Sequence, residues 1–138
     1  QSEEAYFADF CRMQEIIFEQ TGEYAKLVRF PGGSSNTVSH FNPGIMTRLT
    51  NDLNDMGYAY FDWNVSAADT ASDATRYTVI ENFKESVPKH DYSVVLQHDT
   101  NAFSVDAVEE ILSWGIKNGY SFRALDLTSP AVHHSVAN

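Results

Sequence analysis

The chain has 138 residues, of which 43% are hydrophobic, and its 19 acidic and 9 basic side chains give a formal net charge of -10. This length allows at most one domain with a substantial core, and the hydrophobic content excludes a disordered chain. The acidity argues against nucleic acid as a partner, because binding phosphate requires clustered lysine and arginine. The single cysteine, Cys11, excludes an internal disulfide and a cysteine-based zinc site, and we expect it to pack as a small hydrophobe.

Helical and strand-like segments alternate from the first residues. Ser2 suits an N-cap, and an apolar stripe at helical spacing then runs to Gly22, which predicts the first helix. Residues 25–30 form the first predicted strand. Asn42-Pro43 predicts an N-cap followed by proline at the first helical position, and residues 58–65 form the second predicted strand.

The same alternation continues through the second half. A helix is predicted over residues 74–87, a strand over 92–97, and a helix that begins with Ser104 as its cap. A last short strand is expected over 121–127, followed by a loose tail over 128–138. The buried face of the last helix is predicted to carry Val105, Val108, Ile111 and Leu112.

This order of elements predicts an α/β fold with parallel strands joined by right-handed helical crossovers. Two architectures remain open from the order alone. A complete protein of this size would be a small open sheet with helices on its faces, and a fragment would be half of a (β/α) barrel. No apolar run approaches the ~20 residues of a membrane span. No signal peptide opens the chain, which we expect to be incomplete.

Polar and titratable residues follow three of the predicted strands. Arg29 could orient a carboxylate through its forked guanidinium, or could simply be a surface residue. Gly32 and Gly33 form a turn whose backbone N–H groups could cradle an anion, although a plain turn fits equally. The glycines do not form a P-loop, because the lysine of that motif is missing.

His98 ends an apolar strand, where it could act as a general acid or be a satisfied structural residue. Asp69 could be its distant partner, raising the pKa of His98 and keeping it protonated, whereas Asp99 is expected to point to the opposite face. Trp63 could stack on a sugar or pack in the core, and Asp62 is expected to face the other way. The remaining histidines have no ligand spacing, so no metal site is predicted.

Three motifs together carry a family resemblance. Arg29-Phe30-Pro31-Gly32-Gly33, then Trp63-Asn64-Val65-Ser66-Ala67-Ala68-Asp69, then Leu96-Gln97-His98-Asp99 resemble the last three motifs of the polysaccharide deacetylases. This is the family with the NodB homology domain, carbohydrate esterase family 4. Each motif is short, but the three occur in the right order at strand ends and span nearly the whole chain.

The resemblance implies a fold and a reaction. Residues 1–138 would be the C-terminal half of a distorted (β/α) barrel that removes acetyl groups from N-acetylglucosamine in peptidoglycan or chitin-like polysaccharide, with a divalent, zinc-like metal. By motif position, Arg29 would orient the base aspartate, His98 would protonate the departing amine, and Asp69 would tune its pKa. The implied substrate-binding residues are Phe30, Pro31, Gly32, Gly33, Trp63 and Leu96.

The chain also departs from the family pattern. The first two motifs, which supply the base and the metal-binding imidazoles, are not found in it, and Ser66 and Thr70 replace an aspartate and a tryptophan. The metal is therefore expected only in a longer enzyme, with no metal site and no activity in this chain alone. The expected location is extracellular or at the cell wall. The expected partners are the polysaccharide and either a missing N-terminal half or a second copy.

Two other interpretations stay open. A non-catalytic module could keep the fold and bind glycan or a protein partner through the strand-end loops. A small doubly wound domain unrelated to the deacetylases could bind a ligand at its strand ends, if the three motif matches were coincidental.

Overall fold

A computed structural model describes residues 2–138, which divide into two compact units. The first unit contains the described residues up to Asp62 together with Leu125–Asn138, and the second contains Trp63–Ala124. No helix within residues 2–138 is long and apolar enough to cross a membrane.

The first unit packs two helices around a pair of parallel strands. Strand β1 pairs with β2, with Leu27 opposite Ala59 and Val28 opposite Tyr60. The core of this unit contains Phe30, Leu49 and Leu53. Its elements are α1 (Glu3–Thr21), β1 (Leu27–Val28), a 3₁₀ helix (Thr37–Phe41), α2 (Ile45–Asp55) and β2 (Ala59–Tyr60).

The ends of α1 match the sequence prediction. The Ser2 side chain accepts a hydrogen bond from the Ala5 N–H at 3.3 Å, and Gly22 ends the helix with φ of 77°. That left-handed conformation is readily available to glycine, which is why the stop signal could be read from the sequence. Cys11 is exposed, so the prediction that it packs as a small hydrophobe is wrong.

The start of α2 differs from the prediction. Asn42 ends the preceding 3₁₀ helix rather than capping α2, and α2 begins at Ile45 after Gly44 with φ of 79°. Arg48 explains the difference, because its guanidinium donates to the Pro43 carbonyl at 3.0 Å and to the Asn42 side chain at 3.2 Å. These bonds hold the two residues outside the helix.

The second unit repeats the helix and parallel-strand arrangement. Strand β3 pairs with β4, with Val65 opposite Val95 and Ser66 opposite Leu96. Residues of α3 and α4 cover the pair and form the core with Val65 and Ala67. The elements are β3 (Val65–Ser66), α3 (Arg76–Ser86), a 3₁₀ helix (Val87–Lys89), β4 (Val95–Leu96) and α4 (Ala102–Lys117).

The single strand predicted over residues 58–65 is instead two short strands, β2 and β3. The residues between them make hydrogen bonds that a continuous ladder does not contain. The Asp62 carboxylate accepts a hydrogen bond from the loop residue Ser34. The Asn64 side chain accepts from the Val94 N–H at 2.8 Å and donates to the Tyr92 carbonyl at 2.7 Å. The parallel pairing predicted from the order of elements is confirmed.

The predicted cap and face of α4 are both wrong. Asn101 precedes the helix, and Ser104 lies inside it as a fully buried residue. Ile111 is buried as predicted, but Val105, Val108 and Leu112 are exposed. The buried face instead carries Ser104, Ala107, Ile111 and Gly115.

The end of the chain is neither a strand nor loose. Residues 121–127 form no strand, and residues 128–138 make hydrogen bonds to other residues of the first unit. Asn138 donates to the Ser39 carbonyl at 2.8 Å, and the Ala137 N–H donates to the Ser34 carbonyl at 3.2 Å. These partners are about a hundred residues away in sequence, so no local pattern could reveal them.

Candidate functional site

Asp69 is presented by a tight turn that follows β3. Ala68, immediately before it, has φ of 53°, a left-handed conformation that costs a non-glycine residue about 1–2 kcal/mol. The Ser66 hydroxyl accepts the Ala68 N–H at 3.1 Å and helps to hold this turn. Such strained backbone is typical of functional sites, where surrounding contacts maintain it.

The Asp69 carboxylate is 2% exposed and accepts hydrogen bonds from His98, which follows β4, and from a residue of α4. Its Oδ2 accepts the His98 backbone N–H at 2.6 Å and the Ser104 hydroxyl at 2.7 Å. Its Oδ1 lies 2.9 Å from Nδ1 of the His98 ring. The carboxyl ends of two adjacent parallel strands therefore bring the predicted pair, Asp69 and His98, into direct contact.

This geometry assigns the tautomer of His98. A buried carboxylate only accepts hydrogen bonds, so Nδ1 carries a proton. No hydrogen bond to Nε2 is found within the described part of the chain, and 28% of the His98 side chain is exposed. Nε2 is the ring atom left to exchange a proton with a bound molecule, an arrangement suited to general acid or base chemistry.

The protonation of Asp69 follows from its surroundings. Burial raises the pKa of the Asp69 carboxyl, but hydrogen bonds from the His98 ring, the Ser104 hydroxyl and the His98 backbone N–H outweigh that effect and lower the pKa below its usual value. Asp69 is thus a carboxylate at neutral pH.

The lowered pKa of Asp69 predicts acid sensitivity. In the unfolded chain this carboxyl binds a proton at a higher pH than in the folded chain, so the stability that it contributes is present above pH ~4 and is lost as the pH falls through the folded pKa. We expect Asp69→Asn to reduce the slope of the unfolding free energy against pH by up to about 1.4 kcal/mol per pH unit below pH ~4. Urea titrations at several pH values measure the slope, and equal slopes would contradict this assignment.

Ser104 was missed by sequence reasoning as a site residue. A serine near a helix start is most simply interpreted as a cap. Only the structure shows that the Ser104 hydroxyl donates a hydrogen bond to Asp69. Asn101 is a second missed contact, because its side-chain amide donates to the Asp69 carbonyl at 3.1 Å. Both residues fix the position of Asp69 from the start of the same helix.

Two predicted wall residues lie in the second unit. Leu96 is in β4, two residues before His98, and its carbonyl accepts the Ala67 N–H at 2.9 Å. Trp63 precedes β3, and both side chains are half-buried. Their roles against a substrate remain predictions.

The first predicted motif belongs to the first unit. Arg29 is exposed and donates to the Phe30 carbonyl at 3.2 Å, without an ion-pair partner within residues 2–138. Phe30 is 2% exposed and packs against the rings of Tyr6 and Tyr60. Phe30 is thus a core residue, and any substrate contact that it makes would involve its backbone.

The glycine turn, residues 30–35, has a shape that its sequence requires. Gly32 and Gly33 have φ of 73° and 79°, and the Gly33 N–H closes the turn on the Phe30 carbonyl at 2.8 Å. Pro31 and Gly32 are exposed, whereas Gly33 is buried. The turn therefore presents the Gly32 backbone at the surface shortly after β1, whereas the Gly33 N–H is used inside the turn.

A second buried carboxylate, Asp62, lies behind this turn. It accepts the Ser34 N–H at 2.8 Å, the Ser34 hydroxyl at 2.5 Å and the His134 N–H at 2.8 Å. The sequence signal for it was an aspartate within an apolar run, but its partners could not be predicted because His134 lies far along the chain.

The described residues do not supply a metal centre. Within residues 2–138, no group of three or more His, Cys, Asp or Glu side chains is arranged to hold a metal ion. No metal ligand is therefore assigned among these residues, and no chemical step is assigned to a metal.

Comparison with known proteins gives the family context. No family model matches the chain. It is 30% identical over 124 residues, or 86% of its length, to a peptidoglycan-N-acetylglucosamine deacetylase of Bacillus cereus. Among solved structures, the catalytic domain of a peptidoglycan N-acetylglucosamine deacetylase from Eubacterium rectale matches 99% of the chain with a TM-score of 0.96 and 50% identity. A polysaccharide deacetylase from Bacillus cereus matches 88% with a TM-score of 0.71 and 28% identity.

The chain is therefore an α/β chain whose fold and sequence are similar to those of polysaccharide deacetylases. The resemblance predicted from the three motifs is confirmed: the chain is related to the polysaccharide deacetylases and shares the fold of their catalytic domains. It spans about four tenths of the length of the curated relatives and 63% of the Eubacterium rectale domain. These shares agree with the prediction that it corresponds to part of such a domain.

Proposed function

We propose that residues 1–138 form the part of a NodB-like domain that supplies the general acid of a polysaccharide N-deacetylase. The observation that carries this proposal is the His98 ring, held at Nδ1 by the buried carboxylate of Asp69 and left without a partner at Nε2 within the described residues. The relatives named as N-acetylglucosamine deacetylases support the substrate class.

The chemistry assigned to His98 is donation of one proton. When the acetamide C–N bond breaks, the nitrogen leaves as an amine and must gain a proton to become a good leaving group. An imidazolium at His98 carries that proton on Nε2, and its loss leaves the neutral ring protonated at Nδ1. Asp69 stabilises the charged form and fixes the ring, which is the role a buried carboxylate takes beside a catalytic histidine.

The other predicted residues take binding roles in this proposal. Arg29 would orient the base aspartate, which the three-motif resemblance places in another part of the enzyme. The backbone of the glycine turn would donate hydrogen bonds to the oxygen that becomes negative as water adds. Trp63 and Leu96 would wall the pocket for the acetyl methyl group. The divalent, zinc-like metal expected for the family would be held by residues outside this chain.

A second candidate is a non-catalytic module that binds glycan or a protein partner. The partner would be a complementing polypeptide or a second copy, and the exposed apolar side chains of α4 (Val105, Val108, Leu112 and Ile116) offer such a contact. Light scattering of the isolated chain separates the two partners, because a monomer would exclude the second copy.

The test measures acetate released from N-acetylglucosamine oligomers. We expect no release by the isolated chain. We expect metal-dependent release when the chain is fused to the part of the Eubacterium rectale domain that it does not match, because the family resemblance places the missing motifs in that part. Metal-dependent release by the isolated chain would overturn the division of roles. A folded, inactive fusion whose isolated chain still binds the oligomers would favour the binding module.

If the catalytic proposal holds, the substrate also defines the location. Peptidoglycan and chitin-like polysaccharides lie outside the cell membrane, so an enzyme that acts on them would be extracellular or associated with the cell wall. Fractionation of the producing cells would show this directly, and a protein confined to the cytoplasm would contradict it.

A further inference from the structure

The buried carboxylate of Asp62 is not used by the chemistry proposed above. Only 2% of this residue is exposed, and burying a charge is costly unless hydrogen bonds compensate. Two backbone N–H groups and one hydroxyl provide that compensation. Burial raises the pKa of Asp62, but the bonds from Ser34 and His134 outweigh it and lower the pKa, so the group is a carboxylate at neutral pH.

Asp62 joins three segments that are distant in sequence. It follows β2, its carboxylate holds Ser34 in the glycine turn, and it also holds the backbone of His134. Its own N–H donates to the Val132 carbonyl at 2.8 Å, so the bond to the C-terminal segment is made from both backbone and side chain. One residue thus fastens residues 132–138 and the glycine turn to the end of the same strand.

Neighbouring contacts brace the same arrangement. The His133 ring stacks on Tyr60 with centroids 3.9 Å apart, and its Nε2 lies 3.0 Å from the Tyr60 carbonyl. Ser35, at the end of the glycine turn, has its hydroxyl 3.0 Å from Nδ1 of His134. The C-terminal segment therefore contacts both sides of the carboxylate, through β2 and through the turn.

We infer that Asp62 is a positioning residue for the glycine turn, holding it in the shape that presents the exposed backbone of Gly32 to an N-acetylated sugar, with residues 132–138 as a brace. The part about the sugar rests on the proposed function. The part about the turn rests on the contacts alone. Glycine residues provide no side-chain contacts that would fix such a turn, so its shape depends on hydrogen bonds within it and at its ends. Ser34 is the end that Asp62 holds twice.

Amide hydrogen exchange of the isolated chain tests the turn. Asp62→Asn places an NH₂ group where only acceptors fit, so at least one of the Ser34 and His134 N–H groups loses its acceptor. We expect these two amides to exchange about 10-fold faster, while the His98 amide, bound to Asp69, keeps its rate. Asp55→Asn is the matched control, since it removes the same charge from an exposed residue of the first unit.

Unchanged exchange at Ser34 and His134 in folded Asp62→Asn would overturn the inference. If that variant does not fold, Ser34→Ala tests the inference instead, because it removes the hydroxyl bond to Asp62 and keeps the backbone bond. Faster exchange at residue 34 and at His134 than in the wild type supports the inference. Wild-type rates in Ser34→Ala would overturn it, since the turn would then hold without its link to Asp62.

Sugar binding tests the second part separately. In NMR titrations of the wild type with an N-acetylglucosamine trimer, we expect the Gly32 and Gly33 amide signals to shift, and in Asp62→Asn we expect affinity to fall about 10-fold. Absence of any binding by the wild type would count against the proposed function, and the exchange rates would still decide the role of Asp62. Equal affinity in the wild type and in folded Asp62→Asn would overturn the link between Asp62 and sugar binding.

Discussion

His98→Ala in the fused deacetylase domain is expected to lower kcat by about 10²–10⁴-fold, the usual contribution of a general acid. The reason is local: Nε2 is the ring atom without a hydrogen-bond partner among residues 2–138, and Asp69 orients it from the other side of the ring. The affinity for metal should stay nearly unchanged, because His98 is assigned a proton and no ligand role. Acetate release and metal titration measure the two quantities on the same preparations.

The matched control for this prediction is His90→Ala. His90 is an exposed histidine of the same unit and should leave kcat within about twofold of the wild type. A large loss of metal affinity in His98→Ala would show that its assigned role is wrong. Retention of full activity would remove His98 from the chemistry altogether, and another group would then have to supply the proton.

Features determined locally could be predicted from the sequence. Ser2 and Gly22 bound α1 because a cap and a left-handed stop each depend on one residue and its near neighbours. The contact between Asp69 and His98 could be predicted for a different reason. The carboxyl ends of parallel strands lie at one edge, so polar residues after two adjacent strands meet there.

Features determined by distant contacts could not be predicted. Arg48 moves the start of α2 by bonding residues that a local pattern places in the helix. Leu112 and Ile111 are both apolar neighbours on α4, and only the packing against α3 decides which of them is buried. The partners of Asp62 could not be predicted for the same reason, since His134 is 72 residues away along the chain.

The roles of the two carboxylates differ for a physical reason. Asp69 is bonded to a titratable ring that is partly exposed, so it can influence a proton that reaches a bound molecule. Asp62 is bonded to backbone N–H groups and a hydroxyl, which do not titrate in this range. Similar burial therefore produces an electrostatic partner in one unit and a structural anchor in the other.

Asp69→Ala is expected to lower the free energy of unfolding of the isolated chain by about 3–5 kcal/mol. The substitution leaves the His98 backbone N–H and the buried Ser104 hydroxyl without their acceptor, and it removes the ring contact as well. Unsatisfied buried donors cost about 1–3 kcal/mol each, which is why a single side chain has so large an effect. Urea unfolding followed by tryptophan fluorescence measures it.

Asp99→Ala provides the comparison, because Asp99 is exposed and lies next to His98 in sequence. It should change the unfolding free energy by less than about 0.5 kcal/mol. A loss in Asp69→Ala no larger than that of Asp99→Ala would show that the network is held by other contacts. A large loss would mean that the residue assigned to orient the catalytic ring also stabilises the unit that carries it, so any test of its catalytic role must first establish that the variant is folded.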